Sequence, residues 1–400
     1  MCKGKSPVNI YTCFRGLFLF QAVMAGKMDQ TKLLPTVIKH SNLNVPETLE
    51  NLMMDLKCQA AKEINTEDIP GFCHKLSVVS ELINWAREPA YDTGLTGQKQ
   101  NAKNNQQLQN TVRSLVDEVC LPLLNFIRPS VDSRSDVLVF MGKVGLTLAE
   151  CASFYPHCLT KILQQIELHL AQYLKEKPTA CDLQKDMSLV DIHTILDVLR
   201  QVLNKTFRKN DLVAVEDNMA VYRRLFSMVV ASVDNISADL TGTKCIPVLV
   251  SLMKLDIENT TDNLITIWST VEDFYQQDEM RKVFLLLCGF ANYFFPTTGE
   301  EITVDIRGKN LFWQILQQGL YSKDSVNRKR SLYLLKRIVD ICESFQADLN
   351  TDGKCTVFWW DKSYMAQLSK TWEDFLLLSE VFEEKQVTFN FCVKKHNGEF

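Results

Sequence analysis

Six histidines, His40, His74, His157, His169, His193 and His396, are the first residues to question for chemistry. None falls in an HExxH pair, and the chain has no GxxxxGK[ST], GxGxxG or GxSxG stretch. The densest local group is Cys151, His157, Cys158, Glu167 and His169. Zinc sites draw their ligands from regular, closely spaced pairs, and no CxxC occurs among the 13 cysteines. The irregular spacing predicts a set of unrelated helix-cap and helix-face residues. Asp191 and His193 lie two apart, which directs them to different sides of a helix, so they read as residues of a helix start. The carboxylate pairs Glu300–Glu301 and Glu383–Glu384 read as solvated, because acid–base work needs at least one carboxyl whose pKa is shifted by burial. The sequence therefore offers no catalytic residue and no metal site.

Basic residues are the better lead. Arg328, Lys329 and Arg330 open a helix whose apolar face is Leu332, Leu335, Ile338, Val339 and Cys342. Seven residues on, Lys336 and Arg337 return to the side of Lys329 and Arg330. Such a stripe suits the tracking of phosphates. The competing reading is a solvated face on which Asp340 pairs with Lys336 at i, i+4. Trp359 and Trp360 invite base stacking. Two adjacent tryptophans cannot share one helix face, and packing against the next helix, Ser363 to Phe382, is the plainer role.

The elements that must carry these residues are helices. The chain has 400 residues, 46% hydrophobic and 23% charged, with only 15 Gly and 11 Pro. That composition suits helix more than hairpins or Gly-lined phosphate loops. The net charge of −4 excludes a whole-chain attraction to DNA, RNA or an anionic membrane, so RNA would have to be met by a local stripe. An odd number of scattered cysteines fits reduced thiols and a cytoplasmic or nuclear protein. Residues 1–27, with Lys3, Lys5 and Arg15 ahead of an apolar run Leu17–Ala25 broken at Gln21, loosely resemble a signal peptide. The other reading is an unstructured extension ahead of Met28. No uninterrupted apolar run reaches the roughly 18 residues of a membrane span.

From Asp29 onward the apolar spacing predicts one helix after another, and no convincing strand. Leu108 to Ile127 reads as a helix divided at Pro122, and Pro156 separates Ser133–Phe154 from Pro156–Leu174. The polar stretch 88–107 reads as a loop or linker. A second linker, Lys175 to Lys185, divides a first helical half, 28–174, from a second, 175–386, with a tail at 387–400. Helix pairs recur at roughly 40 to 50 residues, the rhythm of HEAT and armadillo arrays. The expectation is an all-α, HEAT/armadillo-like α-solenoid, with an irregular helical bundle as the alternative.

One stretch resembles a known family. SVNRKRSLYLLKRIVDI, followed by VFWWDKSYMAQLSKTWEDFLLLSEVFEEKQ, is similar to the N-terminal helical region of the TAR RNA-binding protein family, the large tRNA (guanosine-2′-O)-methyltransferases. The features that carry the similarity are Arg328-Lys329-Arg330, Tyr333-Leu334-Leu335, Phe358-Trp359-Trp360 and Trp372-Glu373. In that family methyl transfer from S-adenosylmethionine belongs to a C-terminal SPOUT domain. No alternating strand–helix pattern of that kind occurs here, so no family catalytic residue and no cofactor is carried over. After Gln386 the sequence departs from the family pattern, which reads as a truncated or alternatively spliced product. The resemblance implies a helical scaffold for tRNA or another structured RNA, with Arg328, Lys329, Arg330, Lys336 and Arg337 as the contacts and no activity of its own. The alternative is a HEAT-like protein–protein adaptor with no RNA role.

Overall fold

The computed structural model describes residues 45–60, 69–86, 98–126, 134–176, 187–207, 216–296 and 303–352. Every regular element among them is helical, and the chain forms two compact units, Met1–Asn235 and Ile236–Phe400.

In the first unit the helices are α1 Val45–Ala60, α2 Ile69–Ala86, α3 Gln98–Leu115, α4 Leu121–Phe126, α5 Arg134–Phe154, α6 Leu159–Glu176, α7 Met187–Phe207 and α8 Glu216–Ser232. α5 lies between α2 and α7, and α6 packs on α7 and α8. In α5 the stretch Val137–Phe154 is long and apolar enough to cross a membrane by composition, and 67% of it is buried inside the protein, as befits a core helix. The core is built from apolar stripes at helical spacing. Leu159, Ile162, Leu163, Ile166, Leu170 and Tyr173 of α6 are all buried, as are Val112, Leu115, Val119 and Leu123 around α3 and α4.

The second unit contains α9 Ile246–Leu255, α10 Thr260–Gln276, α11 Met280–Gly289, α12 Asn310–Tyr321 and α13 Ser325–Asp352. α11 is its centre, packed on α9, α10 and α13 through Val283, Phe284, Leu286 and Leu287. Between α10 and α11 the chain reverses at Asp278, whose φ of 61° is the left-handed conformation that asparagine and aspartate tolerate.

Prolines act where the sequence places them, in a specific way. Ahead of Pro122 the helix widens over Val116–Cys120, and the Leu121 N–H bonds to Val116 O, five residues back. The same widening occurs over Thr241–Cys245 ahead of Pro247, with Ile246 N–H on Thr241 O. A proline ring crowds the carbonyl four residues earlier, and one wide turn relieves the crowding without ending the helix. At Pro156 the outcome differs. Tyr155 is extended (φ −124°, ψ 91°), the conformation that a following proline favours, and the helix breaks there.

Two expectations need correction. The polar stretch 88–107 is not all loop: α3 begins at Gln98, ten residues ahead of the buried Leu108. Its early turns carry Gln, Lys and Asn, which helices accept but apolar periodicity does not reveal. The basic helix does not open at Arg328: it begins three residues earlier, at Ser325, and runs to Asp352. Thr303 to Lys309 forms irregular turns. Trp359, Trp360, the helix 363–382, the 1–27 extension, Glu300, Glu301, Glu383 and Glu384 lie outside the described residues.

Candidate nucleic-acid interface

α13 starts from a capped turn. Asp324 Oδ1 accepts the Val326 N–H at 2.9 Å, the arrangement of an N-cap. The helix then buries Asn327, Ser331, Leu332, Leu334, Leu335 and Ile338. This face is pressed against α12 and α11, and Ser331 Oγ donates to Asn327 O at 3.0 Å. Packing here is close enough that Gly319 of α12 has no room for a side chain.

The five basic residues divide by what they touch. Arg328 is half-buried, and its guanidinium donates to Ser322 O at 2.8 Å and Lys323 O at 3.0 Å, closing the α12–α13 turn. Arg337 is half-buried and donates to Asn292 Oδ1 and Phe295 O, both at 2.9 Å. Arg330 is also half-buried and reaches Arg281 O at 3.5 Å. Beside it, burial pushes the Cys288 thiol up to about 12, against the downward pull of the Arg330 guanidinium. Lys329 and Lys336 are exposed. The arginines thus tie α13 to the chain's own carbonyls, and the two lysines stand on its exposed face. A guanidinium already donating to carbonyls has fewer N–H groups left for a phosphate.

The exposed face holds a residue that the basic pattern alone did not single out. Tyr333 is 43% exposed and Val326 42% exposed. Val326, Lys329, Tyr333 and Lys336 are spaced i, i+3, i+7 and i+10, which keeps them on one face. The signal was available: an aromatic four residues after one lysine and three before another. It was masked by the neighbouring leucines, which make Tyr333 look like part of the core.

The cysteine–histidine group in the first unit is dispersed over separate roles. Cys151 and Cys158 are buried, and burial raises both thiol pKa values, that of Cys158 to about 11. Glu167 receives the Arg224 guanidinium at 2.5 and 3.1 Å, and the His157 ring lies against Tyr155. Burial lowers the His169 pKa, favouring the neutral ring. Among the described residues no three His, Cys, Asp or Glu side chains are placed to hold a metal ion.

Comparison with known proteins relates part of the chain to one enzyme. It is 33% identical over 108 residues to the mouse tRNA (guanosine(18)-2'-O)-methyltransferase TARBP1. The match covers 26% of this chain and 7% of that protein. The relationship to that family therefore holds over about a quarter of these residues, and the chain spans a small fraction of the relative's length. No family model matches, and no solved structure matches.

Proposed function

We propose that the chain is a helical RNA-binding scaffold related to the tRNA (guanosine-2'-O)-methyltransferases, one that holds tRNA for ribose methylation carried out elsewhere. The 108-residue match carries this reading. The exposed lysines of α13 and the absence of a catalytic motif in the sequence agree with it. In this reading the helices stack as a HEAT-like array, which the side-by-side packing of α2, α5 and α7 supports in the first unit. The chain transfers no methyl group itself. S-adenosylmethionine and the SPOUT chemistry belong to a separate catalytic domain, and the setting is the cytoplasm or nucleus.

The mechanism is positioning. Lys329 and Lys336 are compact charges on flexible stems, suited to phosphates in several geometries and poor at reading base edges. Retention of unmodified tRNA on a filter at two salt concentrations tests the reading. Binding that weakens with salt is expected, and weakens further in Lys329→Ala/Lys336→Ala. Failure of the wild-type chain to retain tRNA at low salt would overturn it. With labelled S-adenosylmethionine and tRNA the chain should transfer no label.

A further inference from the structure

We infer that the outer face of α10 is a docking surface for a basic amphipathic helix of a partner protein. The partner's apolar residues would meet Ile257 and Ile265, and its cations Glu258, Asp262 and Asp273. The inference stands apart from the RNA reading above, whose residues on α13 it does not use.

The isoleucines come first. Ile257 is 76% exposed and Ile265 53% exposed, and among the described residues no other large apolar side chain is as exposed as Ile257. α10 already packs its inner side through Leu264, Ile267, Trp268, Val271 and Phe274, so Ile265 adds nothing to the core. Ile257 stands in the tight turn that leads into α10, about 13 Å along the chain axis from Ile265. A helix that repeats apolar residues every seven or eight positions spaces them by about 10–12 Å, close to that separation. A lone exposed isoleucine needs no partner. Two on one helical run, set among charges of a single sign, specify one.

Charge selects the kind of helix. From Leu255 to Glu279 the chain has seven carboxylates and no Lys or Arg. Asp262, Ile265, Ser269, Asp273 and Gln276 are spaced i, i+3, i+7, i+11 and i+14, and all are exposed, so they form one outer strip. Glu258 is exposed next to Ile257. Glu272, at the edge of the strip, is already engaged. It accepts the Trp268 indole N–H, and Lys309 Nζ lies 3.9 Å from it and over the Trp268 ring. Lys254 and Arg281 lie just outside the stretch, and Arg281 is paired with Asp239. Such a face repels RNA phosphates and anionic lipid. Lysine and arginine lay apolar stems on a surface and keep a charged head for carboxylates, so leucines flanked by them match both features of the strip.

Fluorescence anisotropy with the full chain tests this. The probe is a labelled synthetic helix with a leucine stripe flanked by lysines. Its controls are a scramble of the same composition and a version with Glu in place of each Lys. The wild type should bind the basic helix more tightly than either control. Ile257→Ser/Ile265→Ser should weaken binding about tenfold. Asp262→Asn/Asp273→Asn should weaken it at low salt and reduce its salt dependence. The bound helix should slow amide exchange over residues 257–276. Equal binding by wild type and the double isoleucine variant would overturn the inference, as would equal binding of the scramble or protection confined to other residues. No binding by the wild type would overturn it and leave the RNA reading untouched. Self-association of the chain alone, abolished in Ile257→Ser/Ile265→Ser, would overturn it in favour of a second copy. All four positions are exposed, so circular dichroism of the variants should match the wild type.

Discussion

At the scale of single residues, close packing and burial set the strongest constraints. A Cβ at Gly319 would stand 1.9 Å from Ser331 Oγ and 2.2 Å from Phe284 Cζ, where the phenyl ring is fully buried. Gly319→Ala should therefore destabilise the chain by about 1–3 kcal/mol, seen as a lower urea midpoint. Ser331→Ala in the same background should restore only part, because the phenyl clash persists. Cysteine reactivity is a second residue-level outcome. Burial pushes Cys120 up to about 12 and Cys158 to about 11, whereas Cys58 is exposed. Brief alkylation of the native chain, read peptide by peptide in a mass spectrometer, should label Cys58 and spare Cys120 until urea is added. Early labelling of Cys120 would show that α3 and α4 do not pack as described.

At the scale of elements, helix contacts create an electrostatic knot that a test can isolate. Glu150 of α5 is buried and pairs with Lys205 of α7 at 2.5 Å. Glu81 of α2 lies in the same field. Its pKa is raised, first by burial and then by Glu150, against the opposing pull of Lys205 and Lys143. A carboxyl whose folded pKa exceeds its unfolded value holds more protons in the folded state between the two. Stability from Glu81 is thus full below the ordinary glutamate range and declines as pH rises through the folded pKa. Glu81→Gln should remove that decline and leave the variant the more stable of the two above the window, as urea titrations across pH would record. The elements themselves were largely legible from sequence, because burial writes a helical period. The stripe from Leu159 to Tyr173 and the Pro156 break are examples. What was not legible has a physical cause. The first turns of α3 carry Gln, Lys and Asn, which write no apolar period. The partners of Arg330 and Arg337 lie 49 and 42 residues away in sequence, a distance no local pattern spans. A sequence stripe can place five basic residues on one helix, but which of them meet carbonyls and which meet water depends on the helix packed beside it.

At the scale of the whole molecule, charge decides what kind of binding to expect. The chain carries −4 overall, so no broad positive field draws RNA from a distance, and attraction must come from a few local contacts. A protein that neutralises many phosphates shows a steep fall of affinity with salt, because each contact releases condensed counterions. A single-stranded contact contributes a slope of about −0.7 in log affinity against log salt. With Lys329 and Lys336 as the phosphate contacts of the outer face, Lys329→Ala/Lys336→Ala should flatten the slope by about 1.4. Anisotropy titrations of a single-stranded RNA at four or more salt concentrations measure that slope. A slope unchanged by the double lysine variant would assign the phosphate contacts to another surface of the chain.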